Sequence, residues 1–135
     1  MVLGSTGVDR LDGEGGIDTL SFATFTGDAI TLDLGGPQGS YGTTSGSTGV
    51  LFNFENYILS GGNDFFTGTS GDDTVDGGDG DDTFFGSAGA DTFNGEGDSD
   101  TVDYSTLASS VVNVSVTLND IGTSSAVITL SLIHI

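Results

Sequence analysis

Six carboxylates stand at one spacing in this 135-residue chain: Glu55, Asp64, Asp73, Asp82, Asp91 and Asp100, each nine residues after the last. Carboxylates are hard oxygen donors, and acids set in file suit the sharing of divalent cations. The rest of the composition offers little other chemistry. There is no cysteine, the only histidine is His134, no G-x-S-x-G elbow occurs, and a chain without lysine has no P-loop. Carboxylate pairs can hydrolyse glycosides, but pairs in phase to share an ion are held ionised by it. Twenty acidic residues against Arg10 alone, a net charge of −19, exclude binding to nucleic acid or to an anionic membrane. No stretch approaches the ~20 apolar residues of a membrane span, and residues 1–7 have neither the basic nor the apolar region of a Sec signal.

The elements that must position these acids are repeats. Residues 59–103 fall into five nonapeptides, LSGGNDFFT, GTSGDDTVD, GGDGDDTFF, GSAGADTFN and GEGDSDTVD, on the pattern G-G-x-G-x-D-x-U-x. Position six is aspartate throughout, and position eight is Phe66, Val75, Phe84, Phe93 and Val102 in turn. Two upstream units, at 4–12 and 13–21, place Asp9 and Asp18 in the same phase, with Leu11 and Leu20 at position eight. Glu55 and Tyr57 hold the acid and apolar positions of a degenerate unit in which Asn53 replaces the glycine, so Glu55 ranks behind the aspartates as a ligand.

The first six residues of a unit, dense in glycine, suit a tight turn, and the last three suit a short strand. Two units then close an 18-residue coil, and alternate units stack. The strands of Phe66, Phe84 and Val102 are expected in one parallel sheet and those of Val75 and Phe93 in the other, with these side chains between the sheets. Turns of units n and n+2 would lie one strand spacing apart, ~4.8 Å. This pairs Asp64 with Asp82, Asp73 with Asp91 and Asp82 with Asp100, and more weakly Glu55 with Asp73, whereas Asp9 and Asp18 lack partners at n+2. Calcium takes six to eight oxygens. Backbone carbonyls at positions one, three and five are therefore further candidates: Gly68, Ser70, Asp72, Gly77, Asp79, Asp81, Gly86, Ala88 and Ala90. The side chains of Asp72, Asp76, Asp81 and Asp103 read as solvated. Phe65 and Phe85 face outward on the strand alternation, which marks an interaction surface or covering by a spacer, the second being the expectation preferred.

The nonapeptides resemble the RTX (repeats-in-toxin, haemolysin-type calcium-binding repeat) family. The resemblance implies an all-β fold, a parallel β-roll (right-handed two-sheet solenoid) of nonapeptide calcium-binding repeats with strand-rich spacers. It implies Ca2+ as the cofactor, several ions with about three full sites on the pairs above, and a fragment of a larger protein of a Gram-negative bacterium. Such proteins leave the cell unfolded through type I secretion machinery, by a C-terminal signal, and fold on meeting calcium outside. A calcium-binding structural module is thus the first expectation. The accessory region of an extracellular protease or lipase with its catalytic domain elsewhere, and a segment of a repeat adhesin, stand as alternatives; no catalytic residue is assigned. Without the register, an acidic Gly/Ser/Thr-rich chain would read as disordered. An EF-hand at 76–82 fails on its glycine and glutamate spacing.

The layout expected is a repeat pair at 1–21, a spacer at 22–58, the main array at 59–103, a second spacer at 104–129 and a tail at 130–135. In the first spacer Ile30, Leu32 and Leu34 alternate as a strand, residues 35–49 read as an exposed loop, and 50–58 as a strand returning to the array. In the second, Val114, Val116 and Leu118 alternate likewise. The tail is what the DNA string CTG TCT CTT ATA CAC ATC encodes, which resembles a sequencing-library adapter. The natural frame is then expected to end near Thr129, and His134 to belong to no site.

Overall fold

The computed structural model describes residues 8–105 and the backbone of one further strand at 127–129. Among the described residues every regular element is a strand: β1 (Val8–Asp12), β2 (Thr19–Ser21), β3 (Ile30–Asp33), β4 (Gly39–Thr43), β5 (Thr48–Phe52), β6 (Asn56–Ile58), β7 (Phe65–Thr67), β8 (Thr74–Asp76), β9 (Thr83–Phe85), β10 (Thr92–Asn94), β11 (Thr101–Asp103) and β12 (Val127–Thr129). They form two sheets, ordered β1-β5-β4-β3-β7-β9-β11-β12 and β10-β8-β6-β2. From β6 to β11 the chain alternates between the sheets, a three-residue strand in one followed by a six-residue turn into the other, as a nonapeptide half-coil requires.

The register is that of an 18-residue coil. Phe66 pairs with Phe84 and Phe84 with Val102 in one sheet, while Val75 pairs with Phe93 in the other, all in parallel. These position-eight side chains are at most 1% exposed, because a strand of three residues can present one side chain to the interior and two to the outside. Aromatic rings continue the contact across the core, Phe66 with Phe93 at 6.2 Å and Phe84 stacked on Phe93 at 5.1 Å. Phe93 touches both neighbouring coils, so Phe93→Ala should leave a cavity that the thin core cannot close. The expected loss is about 3–5 kcal/mol, read by denaturant unfolding at saturating calcium; a loss below about 1 kcal/mol would contradict this packing.

The spacer departs from its expected form. Residues 35–49 are not a loop: β4 lies inside them, antiparallel to both β3 and β5. Composition concealed the strand because its glycines sit where a large side chain needs room. Tyr41 is 3% exposed, and a Cβ on Gly49, opposite it, would come within 2.3 Å of its ring. Residues 50–58 are two strands in different sheets, broken at Asn53, whose φ is 57°. The alternation of Ile30, Leu32 and Leu34 is as expected, all three buried. Phe65 is 47% exposed, so among the described residues no spacer covers it; it stands opposite Thr31 and Thr83, whose side chains are too short to cover a ring. Val114, Val116, Leu118 and the tail at 130–135 lie outside the described residues.

Candidate metal centre

The six-residue turns carry the acids, and the position-six side chains turn inward. Asp64, Asp73, Asp82, Asp91 and Asp100 are between 0 and 8% exposed. Position-one glycine makes this possible: a Cβ on Gly77 would lie 2.1 Å from Asp82 Oδ2, and one on Gly95 would lie 2.0 Å from Asp100 Oδ2. Position four brings neighbouring turns together. Gly80 and Gly89 adopt φ of 107° and 114° and lie over the carbonyls of Gly62 and Gly71, one coil away, too close for any side chain.

The three carboxylate pairs expected from the coil are neighbours in space. The Asp64 amide donates to Asp82 Oδ1 at 2.8 Å, the Asp73 amide to Asp91 Oδ1 at 3.2 Å and the Asp82 amide to Asp100 Oδ1 at 3.0 Å. Backbone bonds run alongside, from Thr83 to the Asp64 carbonyl, from Thr92 to that of Asp73 and from Thr101 to that of Asp82. Asp82 thus takes a hydrogen bond from the coil of Asp64 and offers its own amide to the coil of Asp100.

These oxygens carry charge that the protein does not balance. Arg10, the one basic side chain, lies on the edge strand β1, bonded to Asp12 at 3.2 Å and set over the Phe52 ring at 4.5 Å. Burial pushes the Asp82 carboxyl up to about 8, with the charges of Asp64 and Asp100 adding to it. Burial likewise pushes Asp73 up to about 6 and Asp64 above the ordinary range, opposed by the amides that donate to them. Among the described residues no three acidic side chains converge as a metal cage, so a calcium ion would draw its remaining oxygens from turn carbonyls. The donor set, oxygen throughout, fits calcium. So does Asp82 Oδ2, which is buried and has no hydrogen-bond donor.

A family model described as the RTX calcium-binding nonapeptide repeat matches four copies, over residues 2–21, 59–93 and 77–105. The repeats at 2–21 and 59–105 belong to the RTX repeat family. No curated protein matches the chain.

Two features of these RTX repeats correct the expectations drawn from spacing. Asp18 does have a partner: its amide donates to Glu55 Oε2 at 3.0 Å, and its carbonyl accepts from Asn56 at 3.1 Å. Strands β5, β4 and β3 are inserted into the larger sheet between β1 and β7, and in the smaller sheet Leu20 stands opposite Tyr57, so the next coil in space lies 37 residues on instead of 18. Glu55 therefore faces Asp18 with its side chain and meets the Asp73 turn through its carbonyl, which accepts from Thr74. Asp9 is half-buried and accepts from the Tyr41 hydroxyl at 3.2 Å, a partner supplied by the spacer strand β4.

Spacing also missed two sets of polar residues. Position-five side chains form a second ladder running the opposite way, in which Asn63, Asp72 and Asp81 accept from the amides of Asp81, Ala90 and Ser99. Asp72 and Asp81 are exposed, as expected, but bonded. The recurrence of Asx at position five was the available signal. At position two, Ser60, Thr69 and Ser87 donate to the carboxylates of their own turns. The signal there was a hydroxyl where the repeat has glycine. The turns 68–73, 77–82 and 86–91 also carry the carbonyls of Gly68, Ser70, Asp72, Gly77, Asp79, Asp81, Gly86, Ala88 and Ala90, beside the carboxylates of Asp73, Asp82 and Asp91.

Proposed function

We propose that this RTX segment is a structural module that folds when it binds calcium outside the cell, as part of a larger secreted protein. The observation that carries the reading is the set of five position-six aspartates, buried at one phase with no basic side chain among them. Asp64 with Asp82, Asp73 with Asp91, and Asp82 with Asp100 would hold the ions, with Asp18 and Glu55 as a further pair in the same arrangement. Carbonyls at positions one, three and five of the turns would complete each site. Calcium, when bound, supplies two positive charges and six to eight oxygen positions to a chain with almost no positive charge of its own. The side chains do the rest: the ladder bonds orient each carboxylate, the glycines let it lie inward, and the position-eight residues exclude water beneath it.

Extracellular calcium modules bind at ~10⁻⁴ to 10⁻³ M, well above cytosolic calcium. The chain would therefore remain unfolded inside the producing cell, a form suited to type I export, and fold after release. Isothermal titration at pH 7.5 tests the reading. Three or four ions per chain, matching the pairs above, are expected, and no calcium uptake at millimolar concentration would sink it.

A further inference from the structure

The turns are of two kinds, distinguished by position two. In the turn 59–64, Ser60 donates to Asp64 through its hydroxyl, at 2.8 and 3.0 Å, and through its amide at 2.7 Å. In 68–73, Thr69 does the same for Asp73, its hydroxyl at 3.2 Å and its amide at 2.8 Å. In 86–91 the Ser87 hydroxyl donates to Asp91 Oδ2 at 2.9 Å. The turns 13–18, 77–82 and 95–100 have no such hydroxyl. Their position-two residues, Glu14, Gly78 and Glu96, lie in the left-handed region with φ of 68°, 102° and 67°. In the first two, the position-six aspartate has a buried oxygen without a donor, Asp18 Oδ2 and Asp82 Oδ2, whereas Asp100 at the end of the array is 8% exposed. Asp82 is 1% exposed and is the middle rung between Asp64 and Asp100.

We infer that position two decides which turns hold their carboxylate by themselves and which need the cation, so that the first and tightest calcium is taken at Asp82. In the folded turn a hydroxyl and an amide satisfy Asp73, so an ion there adds only the difference between its own contacts and those bonds. At Asp82 the ion meets a buried carboxyl oxygen for which the protein supplies no hydrogen-bond donor, the costliest state for a buried polar atom. Ser60, Thr69 and Ser87 act as latches that let their turns fill later, at higher calcium. The inference rests on the calcium reading above and deepens it.

Amide spectra of the intact chain during a calcium titration test the order. Gly78 and Gly80 should shift over the first equivalent, ahead of Thr69, Gly71, Ser87 and Gly89. Terbium luminescence on variants tests the residue: Asp82→Asn, which keeps an acceptor for the Asp64 amide, should weaken the tightest step about tenfold or more, while Asp33→Asn, at an exposed carboxylate on β3 outside the turns, leaves it within about twofold. Shifts that begin in 68–73 or 86–91, or that rise together in all turns, would overturn the inference while leaving calcium binding intact. A chain with no calcium-dependent shift would instead overturn the calcium reading itself.

Discussion

Chelating calcium from this chain at neutral pH should abolish its β-sheet signal in far-UV circular dichroism, and restoring the ion should bring it back. The main array, residues 59–103, buries one apolar side chain per nonapeptide, Phe66, Val75, Phe84, Phe93 and Val102. It carries twelve acidic residues in the same stretch. Ordering a residue costs about 1–2 kcal/mol of backbone entropy, and burying a Val or Phe side chain returns only about 1.5–3 kcal/mol once in nine residues. The buried aspartates add desolvation and mutual repulsion, so the free energy of ion binding becomes the free energy of folding. A β signal unchanged by excess chelator would refute this account.

Acid should partly replace the ion. Asp82 and Asp73 titrate in the folded protein at about 8 and about 6, against roughly 3.9 for aspartate in an unfolded chain. Between those values the fold binds more protons than the unfolded chain, so the stability of the metal-free protein falls as pH rises from about 4 to about 8. Run the other way, a chelated sample brought from pH 8 to pH 5 should gain β signal, first as Asp82 takes its proton and then as Asp73 does. The range stops above the sequence pI of 4.1, where loss of net charge invites precipitation. Calcium competes with these protons, so its apparent affinity should weaken across the same interval. Asp82→Asn separates this from general relief of repulsion, since it should remove the upper part of the gain and leave the lower part. A metal-free β signal that declines on acidification would show that burial of these carboxyls is not what opposes folding.

Much of the array was legible because a nine-residue period leaves little freedom. Asp82 had to lie beside Asp64 and Asp100 once two units made a coil, and Phe84 had to point inward once its strand was three residues long. The spacer was less legible for a related reason. Gly39 and Gly49 read as loop residues, yet they belong to strands because Leu34 and Tyr41 respectively fill the space their missing side chains leave. Asp18 and Glu55 could not be paired by counting, since β3, β4 and β5 insert additional chain between two coils that stay in register.

The sequence alone determined the repeat, the inward phase of its acids and apolar residues, and hence the need for a cation, because these follow from composition and a fixed period. Only the tertiary structure decided which oxygens remain unsatisfied. That depends on backbone φ at position two and on whether a hydroxyl there reaches the carboxylate four residues on, as Ser60, Thr69 and Ser87 do. With Gly78 in the left-handed region, Asp82 Oδ2 has no donor. The consensus treats these aspartates as equivalent, and the local geometry does not.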